Sequence, residues 1–201
     1  SQTALDAFNF YMNFYTDYGV PIAYNFVQRF RTGEVPIGVE DYTAYNSLKL
    51  AAPEIEGQWE MATIPGFIGE DGKINNVAQC SGSGCILMSA SRNKENAWKF
   101  MQWYISGDIQ YEFGSQLESV MGAGARYNTA TVEAFERLPW KFQEKQVLLS
   151  QMNHIRGVPE VPGGYLTARS ISFAMNTTYS ENKDARKTLK PYAEQINREI
   201  I

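Results

Sequence analysis

With one histidine and two cysteines in 201 residues, the chain has too few imidazole and thiol groups for a Cys/His zinc set. Basic residues are also sparse: 18 Lys and Arg stand against 22 Asp and Glu, a formal net charge of -4. A nucleic-acid surface needs clustered Lys and Arg, so no nucleic-acid partner is expected. No apolar run reaches the ~18 residues that a membrane span requires. Ser1-Gln2-Thr3 opens without the basic and apolar stretches of an export signal, and the chain reads as a soluble, trimmed piece of a precursor whose leader or anchor lies elsewhere. The one small-residue loop, Ser81-Gly82-Ser83-Gly84, is not followed by the Lys-Ser/Thr pair of a phosphate loop. No metal and no cofactor is expected.

What the chain does have is a large apolar share, 44% hydrophobic with 13% aromatic residues, enough for one sizeable core. Ala4, Phe8, Tyr11, Met12 and Tyr15 recur at helical spacing, and Gly19-Val20-Pro21 ends that helix. A second, through Ile22, Phe26, Val27 and Phe30, stops at Thr32-Gly33, where glycine suits a left-handed C-cap. Val35 to Val39 reads as a short strand and Tyr42 to Ala51 as a helix. Trp59, Met61 and Ile64 mark a further strand, closed by Pro65-Gly66 and a loop with Glu70-Asp71-Gly72; two more strands flank the cysteines, one ending near Gln79 and one over Ile86 to Met88.

From Asn93 onward the apolar spacing is helical, with stripes through Ala97, Trp98, Met101 and Ile105 and then Ile109, Phe113, Leu117 and Val120. Further helices are expected over Val132 to Leu138, Phe142 to Ile155, Tyr165 to Tyr179 and Ala185 to Ile200, the last kinked at Pro191. Strands early and helices late indicate an α/β lobe with a small sheet over residues 1–90 and appended helices over 91–201. The strands are too few for a complete doubly wound sheet, so part of it is expected upstream of Ser1. Cys80 and Cys85 leave two readings open: a short-loop disulfide, which needs close Cα atoms and an oxidising compartment, or two small buried hydrophobes.

Several stretches, taken in order, carry a resemblance. They are Phe30 to Tyr42 (FRTGEVPIGVEDY), Trp59 to Pro65, the Ser81 to Gly84 turn before Ile86, and Ser89 to Phe100 (SASRNKENAWKF), followed by GARYNTATVEAF, VPEVPGGYLTARSISFAMN and YAEQINREI. The sequence resembles the family 1 extracellular solute-binding proteins, the group that includes maltose-binding protein, over nearly its whole length. The resemblance implies a type II periplasmic-binding-protein fold of two hinged lobes. This chain would hold most of the second lobe and the C-terminal helices, with the first lobe absent. It also implies a non-catalytic receptor that captures a small polar solute, a sugar or oligosaccharide above all, and delivers it to the permease of an ABC importer. The full-length protein would be a monomer, and it would sit outside the cytoplasm as a cell-surface lipoprotein or in a periplasm, its anchor outside this chain.

Carried over by position, the resemblance places the strand tip Glu40-Asp41-Tyr42 against ligand, with Tyr42 stacking on the C–H face of a pyranose and the acids taking hydroxyls. The alternative for this tip is that Tyr42 packs the helix start while the acids stay solvated or cap it. Gly82 and Ser83 fall in the turn whose backbone N–H groups approach ligand, since glycine has no Cβ to obstruct them; an ordinary tight turn is the other reading. Gly164 and Tyr165 open the helix that faces the cleft. Arg169, one turn on, stands near where sugar-binding members often carry an aromatic residue, and it would favour an acidic sugar, a peptide or another anion unless a structural salt bridge holds it. Arg126 is read as a clamp on loop carbonyls or a ligand contact, and His154 as structural or exposed. Two competing classes are weighed: a glycoside hydrolase fragment pairing Glu40 with Glu118 or Glu160, and a sensory or peptide receptor of the same fold.

Overall fold

The computed structural model describes residues 1–69, 71–159 and 161–200. Glu70 and Glu160, each named in the sequence reading, lie outside the described residues. The chain divides into two compact units. One combines residues 1–24 with 158–201, and the other is residues 25–157. These units cut the chain at places other than the sequence-based division near residue 90, and among the described residues all four short strands fall in the second unit together with six helices.

The first unit consists of three helices among its described residues: α1 (Gln2–Thr16), α8 (Gly164–Glu181) and α9 (Ala185–Ile200). Ser1 caps α1, its hydroxyl accepting the Ala4 N–H at 3.3 Å. Two residues of the stripe read from the sequence form the buried face, Phe8 and Met12 packing with Ala174 and Ala185 while Tyr15, Met175, Leu189 and Tyr192 close the margins; Ala4 and Tyr11 of the same stripe are exposed. Asn182, at φ 47, ψ 42, turns the chain from α8 to α9, and a buried Thr178–Thr188 hydroxyl contact of 2.6 Å joins the two helices. The helix α9 continues through Pro191.

In the second unit Asn25 caps α2 (Phe26–Arg31), its Oδ1 accepting the Gln28 N–H at 3.0 Å. The helix ends as expected at Gly33, φ +75. Next come α3 (Ala44–Ala51), α4 (Lys94–Tyr104), α5 (Gly107–Met121), α6 (Val132–Arg137) and α7 (Phe142–Met152), with a 3-10 turn at Ala123–Ala125. The start of α7 is fixed by the Lys141 N–H, which donates to Glu144 at 3.2 Å. Tyr45, Phe135, Leu138, Trp140 and Leu148 form the core, with Tyr42, Trp59, Met61 and Tyr111 packed against it.

The strands differ most from expectation. β1 (Phe67–Ile68) pairs antiparallel with β2 (Ile74–Asn75), and β3 (Ala78–Gln79) pairs parallel with β4 (Ile155–Arg156). The strand ending at Gln79 is present, and the chain past Met152 leaves the helix to form β4. No ladder forms at Val35–Val39, Trp59–Ile64 or Ile86–Met88. Ile37, Val39, Ile86 and Met88 are instead exposed. An apolar run becomes a strand only when a partner satisfies its N–H and C=O groups. Residues 59–64 find a different anchor, side-chain packing of Trp59 and Met61 on the core and an Ile64 N–H donated to Gln151 Oε1 at 2.9 Å.

Candidate functional site

Two adjoining concavities run along the α2–α3 junction of the second unit. The first, about 200 Å³, is lined by Asn25, Phe26, Val27, Glu40, Asp41, Thr43, Ala44 and Ser47. The second, about 340 Å³, shares Asn25, Val27 and Ser47 and extends along Gln28, Arg31, Leu50 and Ala51. Gly38 shapes the first concavity. A Cβ there would lie 2.1 Å from the Phe26 ring, so only glycine lets the segment before Glu40 lie so close to α2.

Glu40 and Asp41 are exposed, and neither pairs with a cation among the described residues. Asp41 has a local task as well. Its Oδ1 accepts the Thr43 N–H at 3.0 Å and its backbone carbonyl accepts the Ala44 N–H at 2.9 Å, so it starts α3 in the way weighed for consecutive acids. At the far end Arg31 is neutralised by Glu54 and donates to the Ala51 carbonyl at 3.4 Å.

Tyr42 turns the other way. Its ring packs toward Trp140 at a centroid distance of 6.4 Å and borders the core, which is the packing role and not an open stacking platform. Burial and then the neighbouring Asp41 charge push its phenol pKa up to about 12. Because the folded pKa lies above the free value near 10, this contribution is fully present below about pH 10 and is lost as pH rises through 12. Tyr42→Phe should therefore flatten part of the stability decline between pH 10 and 12, read from urea midpoints at stepped pH.

Under α3 lies a linkage that sequence reasoning placed only in part. Arg126, read as a clamp on carbonyls, clamps a carboxylate: its Nε and Nη2 donate to Glu118 at 3.0 and 2.6 Å, and its Nη1 donates to the Tyr45 hydroxyl at 2.9 Å. The guanidinium also lies over Trp140, 4.8 Å from the ring, and the Arg126 carbonyl accepts from Asn46 Nδ2 at 2.7 Å. Burial works against the charge, but the Glu118 bond, Tyr45 and the Glu118 charge outweigh it and hold the Arg126 pKa above its usual value. The clamp thus ties α5 to the first turns of α3, which carry Thr43, Ala44 and Ser47. It also removes Glu118 from the carboxylate pair weighed for hydrolysis; Glu160 lies outside the described residues.

The remaining site residues fall in two places. Gly82 and Ser83 sit in a stretch, residues 80–88, without turn or strand; neither Gly82 nor Gly84 takes a positive φ, and the space beside each is open. The expected tight turn is not formed. Cys80 and Cys85 are free thiols in the structure, Cys80 half-buried and Cys85 exposed, which does not fit the reading of two small buried hydrophobes. In the first unit Gly163, at φ +78, lets the chain enter α8 beside Ile200. Gly164 opens the helix, its N–H bonded to the Val161 carbonyl at 2.9 Å. Tyr165 is 79% exposed. Arg169 is exposed on α8 with its guanidinium 5.6 Å from the Phe173 ring, and it makes no salt bridge among the described residues. His154 is exposed, its Nδ1 2.9 Å from the Ser150 carbonyl.

Asn25, Thr43 and Ser47 are the groove residues the sequence reading missed. Asn25 had a signal, since an Asn directly before an apolar helix is a capping signature. A family model for bacterial extracellular solute-binding proteins matches residues 1–133. The chain belongs to that family. No curated protein matches it. As a bacterial extracellular solute-binding protein it belongs to a generally non-enzymatic family that captures solutes outside the cytoplasm for ABC importers. The helix-rich architecture with small sheets is compatible with the α/β class. The matched residues include the whole α2–α3 groove, Gly82 and Ser83; Gly164, Tyr165 and Arg169 lie beyond them. No described helix is long and apolar enough to cross a membrane.

Proposed function

We propose that this solute-binding protein takes up a neutral sugar or oligosaccharide, and that its chain is most of the second lobe and the C-terminal helices of a two-lobed type II receptor. The α2–α3 groove carries this reading. Asn25, Glu40, Asp41, Thr43 and Ser47 give one concavity five hydrogen-bonding side chains and no fixed cation among the described residues. Carboxylates and amides bind vicinal hydroxyls well, and serine and threonine hydroxyls donate or accept as the solute requires. Capture proceeds by closure: the solute binds between the lobes, these polar groups complete its hydrogen bonds, and the closed form is the one an ABC permease accepts. No bond is made or broken. We place the full-length protein, a monomer, at the cell surface as a lipoprotein or in a periplasm.

Arg169 favours a second reading. An exposed arginine without a carboxylate partner among the described residues pairs readily with a uronate or a peptide carboxylate. The two readings separate in a thermal-shift screen of the full-length protein against neutral sugars, uronates, oligosaccharides and short peptides. A neutral oligosaccharide should raise Tm by several degrees. Asp41→Asn retains the oxygen that caps α3 but loses the charge, and it should weaken that binding by about 10- to 100-fold, the worth of one charge-assisted hydrogen bond. Stabilisation by anions alone, lost in Arg169→Ala, would establish the second reading, and solute turnover seen by mass spectrometry would overturn both.

A further inference from the structure

We propose that Cys80 and Cys85 are joined by an intrachain disulfide once the protein reaches the oxidising exterior, closing residues 80–85 into a small ring. Four observations point there. Cys80 and Cys85 are the two cysteines of these 201 residues and stand five positions apart in sequence. Both thiols are free in the structure, Cys85 exposed and Cys80 half-buried, so an external oxidant can reach one of them directly. Cys80 is anchored, its N–H donating to the Arg156 carbonyl at 3.0 Å beside the β3–β4 pair. The chain that follows is not anchored: Ser81 to Leu87 make no backbone hydrogen bond among the described residues.

The intervening residues suit closure. Gly82 and Gly84 have nothing within 4 Å of a Cβ position, so the segment can bend without collision, and glycine reaches the backbone conformations of a tight turn that other residues resist. Ser81 and Ser83 are small and polar and remain comfortable at the surface. A bridge needs Cα atoms about 4.4–6.8 Å apart, which a turn over Ser81 to Gly84 supplies. Oxidation would convert this irregular stretch into the glycine turn that the sequence led one to expect.

The chemistry balances through thiol–disulfide exchange with the disulfide of an oxidoreductase or a low-molecular-weight disulfide. The Cys85 thiolate attacks one sulfur of that disulfide and expels the other as a thiolate, leaving a mixed disulfide on Cys85. The Cys80 thiolate then attacks the Cys85 sulfur, forming the Cys80–Cys85 bond and expelling the second thiolate. The two cysteines lose two electrons, the external disulfide gains them, and the two cysteine protons end on the released thiols.

The bridge rests on the family's extracellular placement and not on the identity of the solute, so it stands or falls apart from the sugar reading. Full-length protein exported by a bacterial host is acid-quenched, blocked with N-ethylmaleimide, and weighed by mass spectrometry with and without prior reduction. In the expected product neither Cys80 nor Cys85 takes up label until reduced, and digestion yields a peptide linking Cys80 to Cys85 that weighs about 2 Da less than its reduced form because two hydrogens are lost. Cys85→Ser, a change at an exposed site, should leave Cys80 labelling without reduction and the fold intact. Label on both Cys80 and Cys85 of the unreduced exported protein would overturn the proposal, as would a bond from Cys85 to a second molecule.

Discussion

Replacing Arg126 with methionine should lower folding stability by about 3–5 kcal/mol, the range for removing one partner of a buried ion pair. The side chains of Arg126 and Glu118 are only 6% and 14% exposed. The change leaves the Glu118 carboxylate confined without its two donors, at 3.0 and 2.6 Å, and strips the Tyr45 hydroxyl of its partner at 2.9 Å. The double variant R126M/E118Q should regain much of the loss, because no unpaired charge is then buried. Urea midpoints at neutral pH measure both. A loss of less than about 1 kcal/mol in the single variant would reduce the clamp to the rank of a surface bridge.

The reach of that clamp shows what was legible in the sequence. Nearly every helix was, because apolar residues at helical spacing and a cap or glycine stop are local signals; Phe8 and Met12 became the buried face of α1, and Gly33 ended α2. The strands were not. Whether Val35–Val39 or Ile86–Met88 pairs depends on another segment arriving beside it, and among the described residues only two-residue ladders form. At the site, adjacent acids at Glu40 and Asp41 stood out, and both line the groove. Ser47 did not, since one serine inside an apolar helix has no pattern of its own until α2 packs nearby. Tyr42 illustrates the reverse: its residue type suits a sugar platform, and its surroundings, Trp140 above all, draw it into the core.

Phe135→Ala should also cost about 3–5 kcal/mol, and here the mechanism is a cavity. Phe135 is fully buried at 0% exposure beside Leu138 at 1%, and its ring lies 5.5 Å from that of Trp140. It sits on α6, whose six residues are too few to stay helical without tertiary packing, so truncation removes both apolar contact and the anchor of its own helix. Phe142→Ala is the matched control: at 76% exposure it should change stability by no more than about 0.5 kcal/mol. The consequence extends to binding, because Trp140 touches Tyr42 on one side and Tyr45 on the other, and those residues seat the tip and the helix that line the groove. A cavity beneath Trp140 should therefore weaken solute binding at temperatures where the protein is still folded, whereas Phe142→Ala should leave it unchanged. Equal affinity in the two variants, measured by titration calorimetry well below the lower Tm, would show that the core supports the fold without positioning the groove.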